Sequence, residues 1–201
     1  ISKSWISDLS VELTSMAIQI YGGMGYVEET GVAQYLRDAR IAPIYAGTNG
    51  IQALDLTLKK IHIDEGKIIN NLFDEMISVS NELNKSDILS KLTESYQFHI
   101  KNLMESTEKV RKLMINGNQK SISGFASPYT KMFGQVLGGY YMAKAAVIAD
   151  KKYKETGEEY YKDKITLSKF YIEQLLPLSV TNMPPIDSDV DDLFMINREN
   201  F

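Results

Sequence analysis

No cysteine occurs anywhere in the 201 residues, which removes disulfide frameworks, thiolate nucleophiles and cysteine metal sites together. The same absence fits a reducing compartment, and a cytoplasmic location is the expectation. Histidine is scarce as well. His62 and His99 stand far apart in the chain, neither with a second ligand at metal spacing, so no zinc site is expected. His99, placed among Tyr96, Leu103 and Met104, reads as a satisfied core or boundary residue. Positive charge is not in excess: the net charge is −4 with a pI near 5.3 and the lysines are spread along the chain, which argues against nucleic acid as a partner. No apolar run approaches the length of a membrane span. The opening "ISKSWISDLSVELTS" has polar residues where a signal peptide needs an apolar core. The chain lacks an initiator methionine and begins on what reads as a helix already under way, so a fragment is expected.

What is present is ordinary for a folded protein: 44% apolar and 24% charged residues. Trp5, Leu9, Leu13, Met16, Ala17 and Ile20 recur at helical spacing, and Gly22–Gly23 should stop that helix. A glycine-bearing loop leads to a short helix from about Gly31 to Arg40, and Pro43 then forces an extended or turn conformation around Ala42. Thr48 precedes Ile51, Leu54, Leu58 and Ile61 and reads as the N-cap of the next helix. The charged "IDEGK" at 63–67 reads as a link. Four further amphipathic patterns follow, the third separated from the second by "NGNQKSISG" and the last bent or ended by Pro177. Strand alternation is absent, so the expectation is all-α: residues 1–63 as one helical unit, 64–183 as an antiparallel bundle of roughly four helices, and 184–201 as an irregular, solvent-facing acidic tail.

The glycines at 22, 23 and 25 lie beyond a helix end, so they form no phosphate cradle of the helix-N-terminus kind. Alone they are a helix-terminating turn. In combination they mean more. Gln19, the glycines, Arg37–Asp38, Pro43 and Thr48 follow one another in "QIYGGMGYVEETGVAQYLRDARIAPIYAGTNGIQ". This string, continuing as "GTNGIQALDL", resembles the C-terminal helical domain of the acyl-CoA dehydrogenases, flavoenzymes that desaturate acyl-CoA thioesters. "FASPYTKMFGQVLGGYYMAKAA" and "KFYIEQLLP" are similar to the C-terminal extension carried by one branch of that family. The resemblance is tight over 1–63 and looser over 64–201.

It implies that Gln19, Gly22 and Gly23 reach the ADP half of a neighbouring subunit's FAD, that Thr48 contacts FAD in its own subunit, and that Arg37 and Asp38 tie helix to helix. An acyl-CoA substrate, electron-transfer flavoprotein as redox partner and a homodimer are implied in the same way. One position departs. Where most of the family carries the glutamate of "YEGT", this chain has Ala46. In the family reaction a hydride leaves the β-carbon for the flavin while that base takes the α-proton, and a methyl group has no lone pair with which to do so. Three explanations stand: a non-catalytic member, a base supplied by another helix as in the isovaleryl and long-chain dehydrogenases, or a deliberate substitution. Asp55, Glu28 and Glu29 are badly placed to substitute. Gly50 also replaces a glutamine that many members use to touch FAD. Because the N-terminal and β-domains are not in this sequence, no isolated activity is expected; the rival reading is a non-catalytic helical module that assembles with itself or with a separate N-terminal half.

Other candidates fall away. "DSDVDD" at 187–192 puts Asp192 and Arg198 where an EF-hand loop needs glycine and glutamate. Ser123, Ser127 and the other serines lack a histidine–acid partner. Gly134 and Gly138, four apart on a helix with Gly139 beside them, are expected to let another helix pack close as a bundle contact.

Overall fold

The structure, a computed structural model, describes residues 1–200 apart from 189, 191, 193 and 194. It is helical, and no strand is present among the described residues. A π-type turn at Ser2–Ile6 runs into α1 (Ser7–Tyr21), followed by a single turn α2 (Gly23–Tyr26), α3 (Val32–Arg40) and α4 (Asn49–Leu58). Gly22 ends α1 at φ 60°, ψ −143°, a conformation that a side chain would strongly disfavour. The link then makes three left-handed residues in a row, Asp64, Glu65 and Gly66. The Arg111 guanidinium lies over Gly66, and its Nη2 donates to the Glu65 carbonyl at 2.6 Å.

The bundle consists of α5 (Lys67–Asn84), α6 (Thr93–Ile115), α7 (Gln119–Thr156) and α8 (Glu159–Phe170). α7 is its spine, packing on α5, α6 and α8 and also on α4. At 38 residues it is roughly 57 Å long. It starts earlier than the polar "NGNQKSISG" suggests, because the Asn118 side chain accepts from the Ser121 amide and caps it. Ile122, Phe125, Tyr129, Phe133, Val136 and Tyr140 are all buried along it. The buried phenols find partners: Tyr129 with Thr107 at 2.8 Å and Tyr96 with the Met76 carbonyl at 3.2 Å.

Beyond α8 the chain continues through a π-type turn (Tyr171–Leu175) and a 3-10 stretch (Leu176–Asn182) into α9 (Met183–Asp187). Here the expectation of an irregular, solvent-facing tail from 184 needs correction. Ile186 is fully buried and Val190 is 4% exposed, both within the bundle core, and Lys109 pairs with Asp187 at 3.3 Å. Two apolar side chains outweigh the prolines and aspartates around them. Of the six residues 187–192, Asp189 and Asp191 lie outside the described residues. No helix is long and apolar enough to cross a membrane among the described residues.

The glycines of α7 serve close packing, as expected, with a sharper partner. A Cβ at Gly134 would collide with the Trp5 ring, and one at Gly138 with both Trp5 and the Tyr171 hydroxyl. Trp5 thus docks the start of the chain on bare α7 backbone. The Tyr171 hydroxyl donates to the Gln135 carbonyl at 3.0 Å. Gly134→Ala should destabilise the fold by about 1–3 kcal/mol through overpacking, read as a lowered thermal midpoint; an unchanged midpoint would mean Trp5 is not seated there.

His99 is 3% exposed with Nδ1 3.0 Å from Ser179 Oγ, and burial holds its pKa below the ordinary imidazole value. The neutral ring is the folded form. Its contribution is intact above about pH 6.5, the unfolded value, and is lost as the pH falls below that toward the folded pKa. The acid limb of a stability–pH profile should therefore flatten in His99→Gln, and an identical profile would refute the assignment.

Candidate functional site

The turn before α4 is fixed from several directions. Tyr45 N–H donates to the Ile41 carbonyl at 3.1 Å and Asn49 N–H to the Pro43 carbonyl at 3.0 Å. Gln52 Nε2 donates to the Ala46 carbonyl at 3.0 Å, and Lys3 Nζ to the Gly47 carbonyl at 2.7 Å. Within it Ala46 takes φ 53°, left-handed backbone that a side chain adopts only when its surroundings hold it there. Ala46 and Thr48 are exposed. Thr48 is the N-cap as expected, its Oγ1 accepting from Ile51 N–H at 3.3 Å. That bond uses a lone pair and leaves the hydroxyl proton free to donate.

Asn49 is the residue that reading the chain missed. Its Nδ2 donates to the Ser4 carbonyl at 3.0 Å and to Asp8 Oδ1 at 2.7 Å, and its Oδ1 accepts from Lys3 Nζ at 2.8 Å. One amide therefore ties the turn to the start of α1, across more than forty residues of chain. Nothing in the spacing marks it, since an asparagine after a capping threonine reads as ordinary turn chemistry.

The other expected residues lie at the far end of α1. Gln19 is exposed with no partner among the described residues beyond its backbone carbonyl, which accepts from Gly22 N–H at 3.1 Å. Gly23 has open space where a Cβ would stand. Since Asn49 sits beside Ser4–Asp8, the Gln19–Gly23 group is roughly 18 Å along α1 from the Ala46–Thr48 turn at 1.5 Å per residue. The structure does not bring the two groups together.

Arg37 and Asp38 do not tie one long helix to another. Arg37 pairs with Glu28 in the preceding turn at 3.0 Å and donates to Gln34 Oε1. Asp38 accepts from Gln34 Nε2 at 2.6 Å, and both residues are exposed. The nearby carboxylates are engaged elsewhere: Glu28 with Arg37 and Asp55 with Lys60 at 3.9 Å. His62 Nε2 lies 2.9 Å from the Thr57 carbonyl. Among the described residues no cluster of three or more His, Cys, Asp or Glu could hold a metal.

The surface around these residues is unlike the bundle. Before Ala53, Val32 is the one apolar side chain that is buried, while Leu13, Met16, Ile20, Tyr26, Tyr35 and Ile51 are each more than half exposed. The arm formed by α1–α3 shows an apolar face with no covering layer.

Comparison with known proteins adds two family models. One described as acetyl-CoA dehydrogenase C-terminal like matches residues 70–196, and one for the acyl-CoA dehydrogenase C-terminal domain matches residues 1–58. The chain is 31% identical over 182 residues to a 3-methylmercaptopropionyl-CoA dehydrogenase of Ruegeria pomeroyi, covering 87% of this chain and 30% of that protein. It is 26% identical over 183 residues to a butyryl-CoA dehydrogenase of Syntrophomonas wolfei, covering 87% and 29%. A short-chain-specific acyl-CoA dehydrogenase of Megasphaera elsdenii is 48% identical over 54 residues, 27% of this chain and 14% of its own length. The chain thus spans under a third of the length of the first two of these relatives.

Asn49→Ala removes a clamp whose loss should cost about 1–3 kcal/mol. It should speed amide exchange in the 45–52 turn and the first turn of α1 while leaving α7 unchanged. Equal exchange in the variant would show the amide to be incidental.

Proposed function

Because the chain belongs to the acyl-CoA dehydrogenase family, we propose that it is the C-terminal part of an FAD-dependent acyl-CoA dehydrogenase, inactive by itself. The observation that carries this reading is the uncovered apolar face of the arm. A protein does not ordinarily leave so many large apolar side chains in water unless another surface covers them, and here they belong to the arm that bears Gln19, Gly22 and Gly23. The rest of the flavoprotein is the proposed cover.

In that assembly FAD supplies the hydride acceptor for α,β-desaturation of an acyl-CoA thioester. Thr48 would hold it through the hydroxyl proton left over from capping α4. Gln19, with its side-chain amide unpartnered among the described residues, and Gly22 and Gly23, with open space above the backbone, would meet the ADP half of a neighbour's FAD. The separation of the two groups along α1 supports assigning them to two different cofactors, and with them a homo-oligomer. Electron-transfer flavoprotein as acceptor, a role in fatty acid β-oxidation and a cytoplasmic site complete the proposal.

Ala46 holds the position of the proton-abstracting glutamate and can neither accept nor hold a proton. Among the described residues no carboxylate is paired to its exposed, left-handed turn, so they contribute binding and shape but no base. That favours the second reading, a non-catalytic helical module for oligomerisation or for assembly with a separate N-terminal half.

Mixing the chain with the N-terminal and β-portions of a relative, produced separately, should restore flavin binding with little dye reduction. Ala46→Glu in the same mixture should raise the rate by about 10²–10⁴-fold. Stoichiometric flavin on the isolated chain would overturn the proposal, and full turnover of the mixture with alanine at 46 would place the base elsewhere.

A further inference from the structure

Between the arm and the bundle lies a cleft of about 360 Å³, at the small end of the range for ligand sites. Its two walls differ in chemistry. On α1, Asp8 and Glu12 stand one turn apart and offer acceptors; Asp8 is bonded to Asn49, and Glu12 has no partner among the described residues. On α7, Ser127, Lys131 and Gln135 are spaced four apart and so share a face. Lys131 is likewise without a partner. Gln135 Oε1 accepts from Asn182 Nδ2 at 3.0 Å, which leaves its own Nε2 as a donor. The rest of the lining sets the apolar side chains of Trp5, Leu9, Leu175 and Leu178 beside the polar groups of Ser4, Asn49 and Tyr171.

An acceptor wall, a donor wall and the apolar side chains of Trp5, Leu9, Leu175 and Leu178 suit a molecule carrying an ammonium group, a carboxylate and a hydrocarbon or aromatic body. The opposed unpaired charges argue against a simple anion, which Glu12 would repel, and against a simple cation, which Lys131 would repel. The geometry points to this cleft as a binding site for a zwitterionic apolar ligand of the size of an aromatic amino acid, with Lys131 taking the carboxylate, Glu12 and Asp8 the ammonium and Trp5 the side chain. No covalent step is involved, and the site draws on none of the residues assigned to the cofactor.

The chain contains a single tryptophan, so its one indole N–H resonance reports on the cleft directly. Titration of the full chain with L-phenylalanine should shift that signal saturably in the millimolar range. Glu12→Gln and Lys131→Met, both at exposed positions, should each weaken the response tenfold or more while the rest of the spectrum stays in place. Phenethylamine and 3-phenylpropionate, each lacking one charge, should bind as poorly as the variants allow. A flat titration, unchanged affinity in both variants, or 3-phenylpropionate binding as tightly as phenylalanine would overturn the assignment. Because no flavin enters the experiment, the result is independent of whether the chain completes a dehydrogenase.

Discussion

Trp5 lies against the bare backbone of α7 at Gly134 and Gly138, and the relation between the two parts of this protein depends on that contact. The ring occupies volume that two methyl groups would fill. It brings the π-type turn Ser2–Ile6 onto the bundle, and α4 follows, packed against both the turn and α7. Asn49 then fixes the loop before α4 to the same few residues. A dispersion contact sets the position, and a fork of hydrogen bonds sets the register. The conformation of the 45–48 turn is thereby referred to the bundle spine, even though the turn itself is exposed.

The two parts differ in how much of their apolar surface they satisfy. The bundle is conventional. Its buried phenols are bonded, its histidine has a hydroxyl partner, and even the stretch after Pro184 returns Ile186 to the core. The arm gains little by its own folding. α1 packs chiefly on α2 and α3, and most of its large apolar side chains remain in water. Hydrophobic burial is the main force opposing conformational entropy, so the arm's helices stand at the low end of the local stability range. Gln19, Gly22 and Gly23, proposed to meet a cofactor, thus lie on the same arm as the apolar side chains that need an external partner.

Much of this was legible in the chain. Periodicity placed the helices, Gly22 stopped α1, Thr48 capped α4, and the α7 glycines were read as sites of close approach. What was not legible depends on contacts far apart in sequence. The partner of Gly134 is Trp5, about 130 positions away, and spacing within α7 cannot name it. Asn49 carries its clamp through four residues near the chain start, Lys3, Ser4, Ser7 and Asp8. α7 begins at Gln119 because one asparagine caps it, a local device hidden in a run that reads as linker. Arg37 and Asp38 were read as bracing helices together, whereas each turns to Gln34 on its own helix. The exposure of Leu13, Met16 and Ile20 is the most telling divergence, since their helical spacing promised a buried face and the face exists without its cover.

The central claim is that the arm's apolar face belongs to an interface with the remainder of a flavoprotein. Hydrogen–deuterium exchange resolved by helix tests it most directly, on the chain alone at concentrations where it is monomeric and again with the complementing half. The account predicts rapid exchange in α1 and α3 against slow exchange in α7, with α1 and α3 becoming protected on mixing. Protection of α1 and α3 equal to that of α7 in the isolated monomer would contradict it.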